Sequence, residues 1–197
     1  LDAILSAGNH YLKKQNRTRG VSEKNIIDTA IQSLGLNDVV IFNVEEKIIE
    51  YAVKSGKGKS ANMFGESGRG KLIDMSVTGF TDELASNSPA PGGGSVSALA
   101  GTLAAGLTSM VAALTHEKKG FLEKKSMMEE IGIQAQQLKD KLLFLIDEDT
   151  NAFNGILSAI RLPASNDKEK KTRHESIINA NCYAIDIPLK VAETSLK

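Results

Sequence analysis

The segment LIDEDTNAF, Leu145–Phe153, places acidic side chains within an apolar helical pattern. Counted at helical spacing, Asp149 shares one stripe with apolar residues, namely Leu138, Leu142, Leu145, Ala152, Phe153, Ile156 and Ile160. A carboxylate buried at such a position costs on the order of several kcal/mol unless it is paired or takes up a proton. Asp149 is therefore a candidate for general acid–base chemistry, and the alternative is that it caps or bridges neighbouring helices. Asp147 and Glu148 point away from the stripe and are weaker candidates.

The turn PAPGGGS, Pro89–Ser95, has the residue types of an anion-binding loop. Gly92, Gly93 and Gly94 permit backbone conformations closed to other residues, and Ser95 can cap the helix that follows. Free N–H groups at such a helix start can hold a phosphate or a carboxylate. The turn lacks the Lys of a phosphate-binding P-loop and does not match the dinucleotide fingerprint. Taken alone, it is interpreted as a structural turn, with anion binding as the alternative.

Basic residues near two helix ends could face an anionic substrate. His116, Lys118 and Lys119 follow one another closely, and Arg161 ends a long helical pattern. A cation at the end of a helix complements the helix dipole, which is the structural interpretation. In the functional alternative Lys118, Lys119 and Arg161 form a basic rim, since Lys and Arg are the usual partners of carboxylates. The sequence has no Cys/His cluster and no Ser-His-Asp spacing, so we expect neither a metal site nor a catalytic triad.

The first part of the chain shows helical periodicity. Apolar residues recur at helical spacing from Ala3 to Lys14 and again from Ser22 to Leu34, with Ser22 as a cap and Gly35 as a stop. Asn43 to Tyr51 predicts a short third helix. The stretch Leu34–Phe42 before it is expected to be a connector or a short strand.

The second part follows Lys54–Lys71, a Gly-, Ser- and Lys-rich stretch with too little apolar surface to fold alone. We predict a flexible linker there. Helical patterns then follow over Ile73–Leu84, Ser95–Thr115, Leu122–Ile160 and from Asp167 to the end of the chain. Almost nothing alternates with period two, so this part is predicted to be all helical.

The helix predicted over Ser95–Thr115 consists mainly of small residues. No Asp, Glu, Lys or Arg occurs between Glu83 and Glu117, and at about 20 residues the helix is long enough to cross a bilayer. Its Ala, Gly, Ser and Thr side chains, however, let neighbouring helices approach closely in a bundle. We therefore predict a central buried helix, with a membrane span as the alternative.

The composition limits the class of protein. With 24 basic and 24 acidic residues the formal net charge is +0, which argues against a surface built mainly for nucleic acid or anionic lipid. Cys182 is the single cysteine, so no internal disulfide can form and a cytoplasmic setting is expected. The chain opens on Leu1 and ends at Lys197 within a periodic pattern, which leads us to expect a piece of a longer protein.

Three blocks, in this order and spacing, resemble the cyclodeaminase domain of the formimidoyltransferase-cyclodeaminase family. They are SPAPGGGSVSALAG at Ser88–Gly101, SMVAALTHEKKG at Ser109–Gly120 and DEDTNAFNGILSAIRLP at Asp147–Pro163. Upstream, Ala7–Leu36 is similar to the end of the formimidoyltransferase domain. The resemblance implies three parts: a C-terminal transferase tail at 1–53, the linker at 54–71, and the N-terminal part of the cyclodeaminase domain at 72–197.

The resemblance implies a folate enzyme of histidine degradation that uses no metal. In this family the transferase moves a formimidoyl group from formimidoylglutamate to tetrahydrofolate. The cyclodeaminase then closes 5-formimidoyltetrahydrofolate to 5,10-methenyltetrahydrofolate and releases ammonia. The implied fold is all-α: a helical bundle that dimerises, preceded by the mostly helical tail of an α/β transferase domain, and the bifunctional form assembles further into a ring.

Asp149 matches the catalytic acid of the family's motif. We expect Gly92, Gly93, Gly94, Ser95, His116, Lys118, Lys119 and Arg161 to bind the folate substrate, with Lys118 and Lys119 facing the carboxylates of its glutamate tail. No nucleic acid and no membrane partner is expected. The alternatives are a non-catalytic helical oligomerisation module and a membrane-associated protein, both built around the small-residue helix.

Overall fold

The computed structural model describes residues 1–38, 42–54 and 71–197, and most of these residues lie in helices. The α-helices are α1 (Asp2–Lys14), α2 (Glu23–Ser33), α3 (Val44–Lys47), α4 (Ile49–Lys54), α5 (Val77–Leu84), α6 (Gly93–Glu117), α7 (Lys125–Ile160) and α8 (Asp167–Ser195). Two 3-10 helices cover Leu72–Asp74 and Lys119–Lys124. No strand occurs among the described residues, which confirms the all-helical prediction.

The predicted helix ends are set by local chemistry. Ser22 caps α2 by accepting a hydrogen bond from the Asn25 amide (3.4 Å), and Gly35 follows with φ of +63°. The helix predicted over Ile73–Leu84 is instead divided, because Ser76 caps α5 through the Gly79 amide at 3.0 Å. The helix predicted from Asn43 is also divided: it breaks at Ile48, which is buried.

Two of the predicted segments lie largely outside the described residues. The predicted linker at 54–71 is described only at its first and last residue, and the predicted connector before α3 lacks residues 39–41. The domain bounds therefore stay a prediction. By their contacts, the described residues form two compact units: those within Leu1–Ala61 and Gly106–Gln136 form the first, and those within Asn62–Ala105 and Gln137–Lys197 form the second.

In the first unit α1 packs against α2. Gly8 makes this approach possible, since a Cβ there would lie 2.1 Å from the carbonyl oxygen of Ile26. The core consists of buried isoleucines, Ile27, Ile31 and Ile48. Burying each such side chain stabilises the fold by about 1.5–3 kcal/mol.

The loop after α1 packs on the other part of this unit. Arg19 pairs with Glu129 at 2.8 Å, and the Ser109 hydroxyl donates to the Gly20 carbonyl at 3.2 Å. A Cβ on Gly20 would lie 2.6 Å from the backbone of Gly132. The loop and α7 are therefore in direct backbone contact.

The second unit packs α5, the start of α6, the end of α7 and α8 around an aliphatic core. Its buried members are Leu72, Phe80, Ala98, Leu142, Leu145, Ile146, Ala152, Ile187 and Val191. Asp147 accepts a hydrogen bond from the Leu72 amide at 2.7 Å, which ties the start of this unit to α7. In the same unit, the hydrogen bond from the Ser95 amide to Asp149 joins the first turn of α6 to α7.

Helix α6 differs from its prediction as a central buried helix. One face is buried, through the small or polar side chains of Ser95, Ala98, Thr102, Ser109, Ala112 and His116. The opposite face is exposed, with Leu103 at 61%, Leu107 at 59% and Leu114 at 65%. The small residues give close packing on one side only, so the prediction is wrong for a single chain. In the described part of the chain, α6 is also the one helix long and apolar enough to cross a membrane.

Candidate functional site

Asp149 on α7 is bonded to the first turn of α6. The Ser95 amide donates to Asp149 Oδ2 at 2.9 Å, and the Ser95 hydroxyl lies 3.1 Å from the same oxygen. The N-terminal end of a helix carries partial positive charge, so the first turn of α6 attracts the carboxylate oxygens. Ser95 lies within the helix that starts at Gly93, so its hydroxyl contacts α7 instead of capping α6 as predicted.

Gly94 leaves the space that the carboxylate occupies. A Cβ on Gly94 would lie 2.0 Å from Asp149 Oδ1, closer than two non-bonded atoms can approach. A Cβ on Gly92 would stand 3.6 Å from Oδ2, which is ordinary contact, and one on Gly93 would meet nothing within 4 Å. The glycine requirement is therefore strict at position 94 and weaker at its neighbours.

A cavity of about 190 Å³ opens beside this carboxylate. Its lining comes from the turn, α7 and α8: Pro89, Ala90, Gly92, Gly93, Gly94, Asp149, Thr150, Phe153 and Ala184. Apart from Asp149, none of these side chains is titratable. A group that enters the cavity thus meets one carboxylate, the Thr150 side chain, the glycine backbone and apolar side chains.

The other two acidic residues of the motif have structural partners. Asp147 holds the Leu72 amide, and burial raises the pKa of this carboxyl above its ordinary value. Glu148 accepts hydrogen bonds from the Tyr183 hydroxyl and from Asn151. The bond to Glu148 raises the pKa of Tyr183 to about 12. Both carboxylates thus make contacts to neighbouring segments, Asp147 to Leu72 and Glu148 to α8.

The predicted basic residues are not part of this cavity. Arg161 lies just beyond the C-terminal end of α7 and is exposed. His116, Lys118 and Lys119 belong to the first unit, whereas Asp149 belongs to the second. His116 is 4% exposed, and its Nδ1 has no hydrogen-bond partner among the described residues. Lys118 is exposed and lies over the Phe121 ring at 5.3 Å.

The structure brings Asp149 to the consecutive residues Gly92, Gly93, Gly94 and Ser95, although Asp149 and Ser95 are 54 positions apart in the sequence. The sequence analysis did not predict that Ala184 of α8 lines the cavity, nor that Tyr183 pairs with Glu148. They are ordinary helix residues, and only the register of α8 against α7 reveals them. Among the described residues, no group of three or more His, Cys, Asp or Glu side chains could hold a metal ion.

The site belongs to an all-helical class of protein, in which a carboxylate on one helix contacts the Gly-rich start of another. Comparison with known sequences identifies the family. Residues 76–197 match the sequence profile of formiminotransferase-cyclodeaminase, and residues 1–54 match that of the formiminotransferase domain. The chain belongs to the formiminotransferase-cyclodeaminase family, as its three sequence blocks predicted.

Related proteins support this membership over almost the whole chain. The chain is 34% identical over 195 residues to formimidoyltransferase-cyclodeaminase of Mus musculus, covering 98% of the chain and 34% of that protein. The protein of the same name in Dictyostelium discoideum is also 34% identical over 195 residues, with 99% and 34% covered. The chain thus spans about one third of the length of these relatives.

A shorter match points to a second folate protein. The chain is 37% identical over 110 residues to methenyltetrahydrofolate cyclohydrolase of Methylorubrum extorquens, covering 56% of the chain and 53% of that protein.

Proposed function

We propose that this chain is part of a folate-dependent cyclodeaminase that converts 5-formimidoyltetrahydrofolate to 5,10-methenyltetrahydrofolate and ammonia, within a bifunctional chain that also carries glutamate formimidoyltransferase activity. Family membership and the names of the relatives support this assignment. The observation that carries it is the Asp149 carboxylate, bonded to Ser95 at a glycine-lined cavity.

The reaction needs a group that moves one proton between two nitrogens. The N10 nitrogen of the folate, which carries one hydrogen, attacks the amidinium carbon on N5, and the C=N electron pair moves to the terminal nitrogen. Asp149 takes the proton from N10 and returns it to that terminal amine. The amine leaves as ammonia when its C–N bond breaks, and the N10 lone pair forms the new double bond. The methenyl product then carries the single positive charge that the amidinium carried before.

The cavity is suited to the reacting group. Its volume of about 190 Å³ lies below the range of about 300–1,000 Å³ that encloses a whole drug-sized ligand. We infer that the formimidoyl end enters the cavity while the rest of the folate lies outside it. The ionised carboxylate stabilises the positive amidinium, because an opposite charge is worth more where water is excluded.

The glycine turn and the basic residues have proposed binding roles. Gly92 and Gly93 line the cavity, so their backbone can face the pterin edge of the folate. We propose that His116, Lys118, Lys119 and Arg161 also bind the substrate, with Lys118 and Lys119 facing the carboxylates of the glutamate tail. Lys118, Lys119 and Arg161 are exposed cations, which supports this role, whereas His116 is buried and supports it least.

The direct test is formation of methenyltetrahydrofolate by the full-length protein. The protein is given 5-formimidoyltetrahydrofolate, and both the absorbance of the product and the ammonia released are followed. Equal amounts of the two are expected. Absence of both, in a protein that is folded and binds folate, would overturn the proposal.

A second candidate function is hydrolysis of methenyltetrahydrofolate, which the similarity to a methenyltetrahydrofolate cyclohydrolase favours. In that reaction water adds to the methenyl carbon, one C–N bond breaks, and formyltetrahydrofolate forms with release of one proton. Asp149 would accept the proton of the attacking water. The two candidates separate when methenyltetrahydrofolate is the only substrate supplied: the hydrolase speeds its loss above the buffer rate, and the cyclodeaminase does not.

We also propose that the protein is a cytoplasmic homo-oligomer, a dimer or a larger ring. The exposed leucines of α6 support this, because apolar side chains on one helix face lose water contact when a second copy covers them. Light scattering of the full-length protein would measure its mass.

A non-catalytic oligomerisation module is the competing class of function, and it predicts that no folate analogue raises the melting temperature. A membrane-associated protein predicts that the chain needs detergent to stay in solution.

A further inference from the structure

Ser95 is enclosed by protein atoms. Its side chain is 0% exposed and does not line the cavity, so its hydroxyl does not touch a group bound there. That hydroxyl lies near three oxygens: the Ile146 carbonyl at 2.8 Å, Asp149 Oδ2 at 3.1 Å and Thr150 Oγ1 at 3.5 Å. A hydroxyl has one proton to donate, so it serves one of these acceptors at a time.

The two oxygens of Asp149 are held differently. Oδ2 faces both donors of Ser95, the amide at 2.9 Å and the hydroxyl at 3.1 Å. Oδ1 has no hydrogen-bond donor among the described residues and lies beside Gly94, which lines the cavity. Oδ1 therefore keeps the capacity to form a further hydrogen bond, whereas Oδ2 already faces two donors.

We propose that Ser95 is the positioning residue of the acid–base step, an inference that rests on the proposed cyclodeaminase function. While Asp149 is ionised, the Ser95 hydroxyl donates to Oδ2 and supports the charge. Once Oδ1 has taken the proton from N10, the charge at Oδ2 is lost and the hydroxyl turns to the Ile146 carbonyl. Both acceptors are already within reach, so the hydroxyl stays bonded in both states and no heavy atom has to move.

Other titratable groups near this pair have their own partners. On α7, Glu148 is bonded to the Tyr183 hydroxyl of α8, and Asp147 to the Leu72 amide. Also on α8, Asp186 pairs with Lys190. The stretch Pro89–Ser95, which supplies the rest of the lining, has no titratable side chain. Among the titratable groups named here, Asp149 is thus the one whose protonation a change at Ser95 is expected to alter.

The test is Ser95→Ala in the full-length protein, which removes the hydroxyl and keeps the amide. Loss of a donor to the ionised carboxylate favours its neutral form, so the acidic limb of the profile of kcat/KM against pH should move up by about one pH unit. We expect kcat to fall about 10- to 100-fold and KM to stay within about threefold, because Ser95 does not contact substrate. The matched control is Thr102→Val, since Thr102 is another buried hydroxyl on α6, bonded to the Ala98 carbonyl.

Two outcomes would overturn the proposal. One is an acidic limb that stays in place in Ser95→Ala. The other is a fall in kcat that Thr102→Val reproduces, since any buried hydroxyl would then have the same effect. A second measurement uses the wild-type protein and so does not need the Ser95 variant to fold. The amide proton resonance of Ser95 and the infrared band of the Asp149 carboxyl are followed against pH, and both should change with the same midpoint. The infrared band is assigned by its loss in Asp149→Asn. Different midpoints contradict the inference.

Failure of this inference is distinguishable from failure of the proposed function. The resonance and infrared titrations need no turnover, so they report on the Ser95–Asp149 pair even if the protein forms no methenyltetrahydrofolate. Conversely, normal turnover with an unmoved acidic limb rejects the role of Ser95 and leaves the cyclodeaminase assignment intact.

Discussion

The Ser95 amide and the Asp149 carboxylate are 54 positions apart in the chain and 2.9 Å apart in the structure. This contact joins the start of α6 to the middle of α7. It also fixes the direction of the carboxylate, because the same oxygen faces the Ser95 hydroxyl. The predictions below start from this pair and its surroundings.

Asp149→Asn tests the catalytic role of the carboxylate. The amide oxygen of Asn can still accept the Ser95 N–H bond, so the fold should hold, whereas the side chain can no longer take up a proton. We expect cyclodeaminase turnover to fall by about two to four orders of magnitude. The matched control is Asp140→Asn, an exposed aspartate on the same helix. Near-normal turnover in Asp149→Asn would refute the role.

Gly94→Ala tests the space beside the carboxylate. The added methyl would lie 2.0 Å from Oδ1, so either the carboxylate or the start of α6 must shift. We expect turnover to fall at least tenfold and stability to drop by about 1–3 kcal/mol. Gly155→Ala, at a helical glycine with nothing within 4 Å, should lose neither activity nor stability. Equal behaviour of the two variants in urea unfolding and in the turnover assay would contradict the strict glycine requirement.

Asp147 gives a prediction about stability and pH. Burial raises the pKa of this carboxyl above its ordinary value of 3.8, so the folded state binds its proton more tightly than the unfolded state does. Its contribution to stability is therefore present at pH below 3.8 and is lost as the pH rises through the folded pKa. Asp147→Asn keeps an acceptor for the Leu72 amide and removes this dependence.

Urea unfolding between about pH 3 and pH 7 measures this effect. The difference in unfolding free energy between Asp147→Asn and the wild type should change in favour of the variant as the pH rises through that window. A difference that stays constant over the range would show that the carboxyl titrates alike in both states.

The double variant Lys118→Ala, Lys119→Ala tests the proposed contact with the glutamate tail. Two exposed cations that face carboxylates should contribute modestly, so affinity for a polyglutamylated folate should fall roughly 3- to 30-fold, with a smaller effect at high salt. Lys170→Ala, Lys171→Ala removes two exposed lysines of α8 and is the matched control. If affinity is unchanged, or falls equally in both double variants, the assignment is wrong.

The sequence predicted Asp149 as a candidate because its position on an apolar stripe is visible in the local pattern. Its partner was not predictable in the same way. Ser95 follows three glycines and so has the local pattern of a helix cap, and only the packing of α6 on α7 turns its hydroxyl toward α7. The same limit applies to Ala184, whose place in the cavity depends on the register of α8.

The burial of α6 shows a second limit of the sequence pattern. Small residues at Ala98 and Ala112 allow close packing on one face, as predicted. Leu103 and Leu114 lie on the other face, and the described residues of the chain leave them exposed. The sequence of an apolar helix face is the same whether the neighbour that covers it belongs to the same chain or to another. The sequence pattern alone therefore overestimates how much of α6 is buried within one chain.

The hydrogen bond between the Leu72 amide and Asp147 has a mechanical consequence. Leu72 comes directly after Lys71, where the described part of the second unit begins, and Asp147 lies two residues before Asp149 on α7. Tension applied to the chain at Lys71 is therefore transmitted to α7 within one helical turn of Asp149.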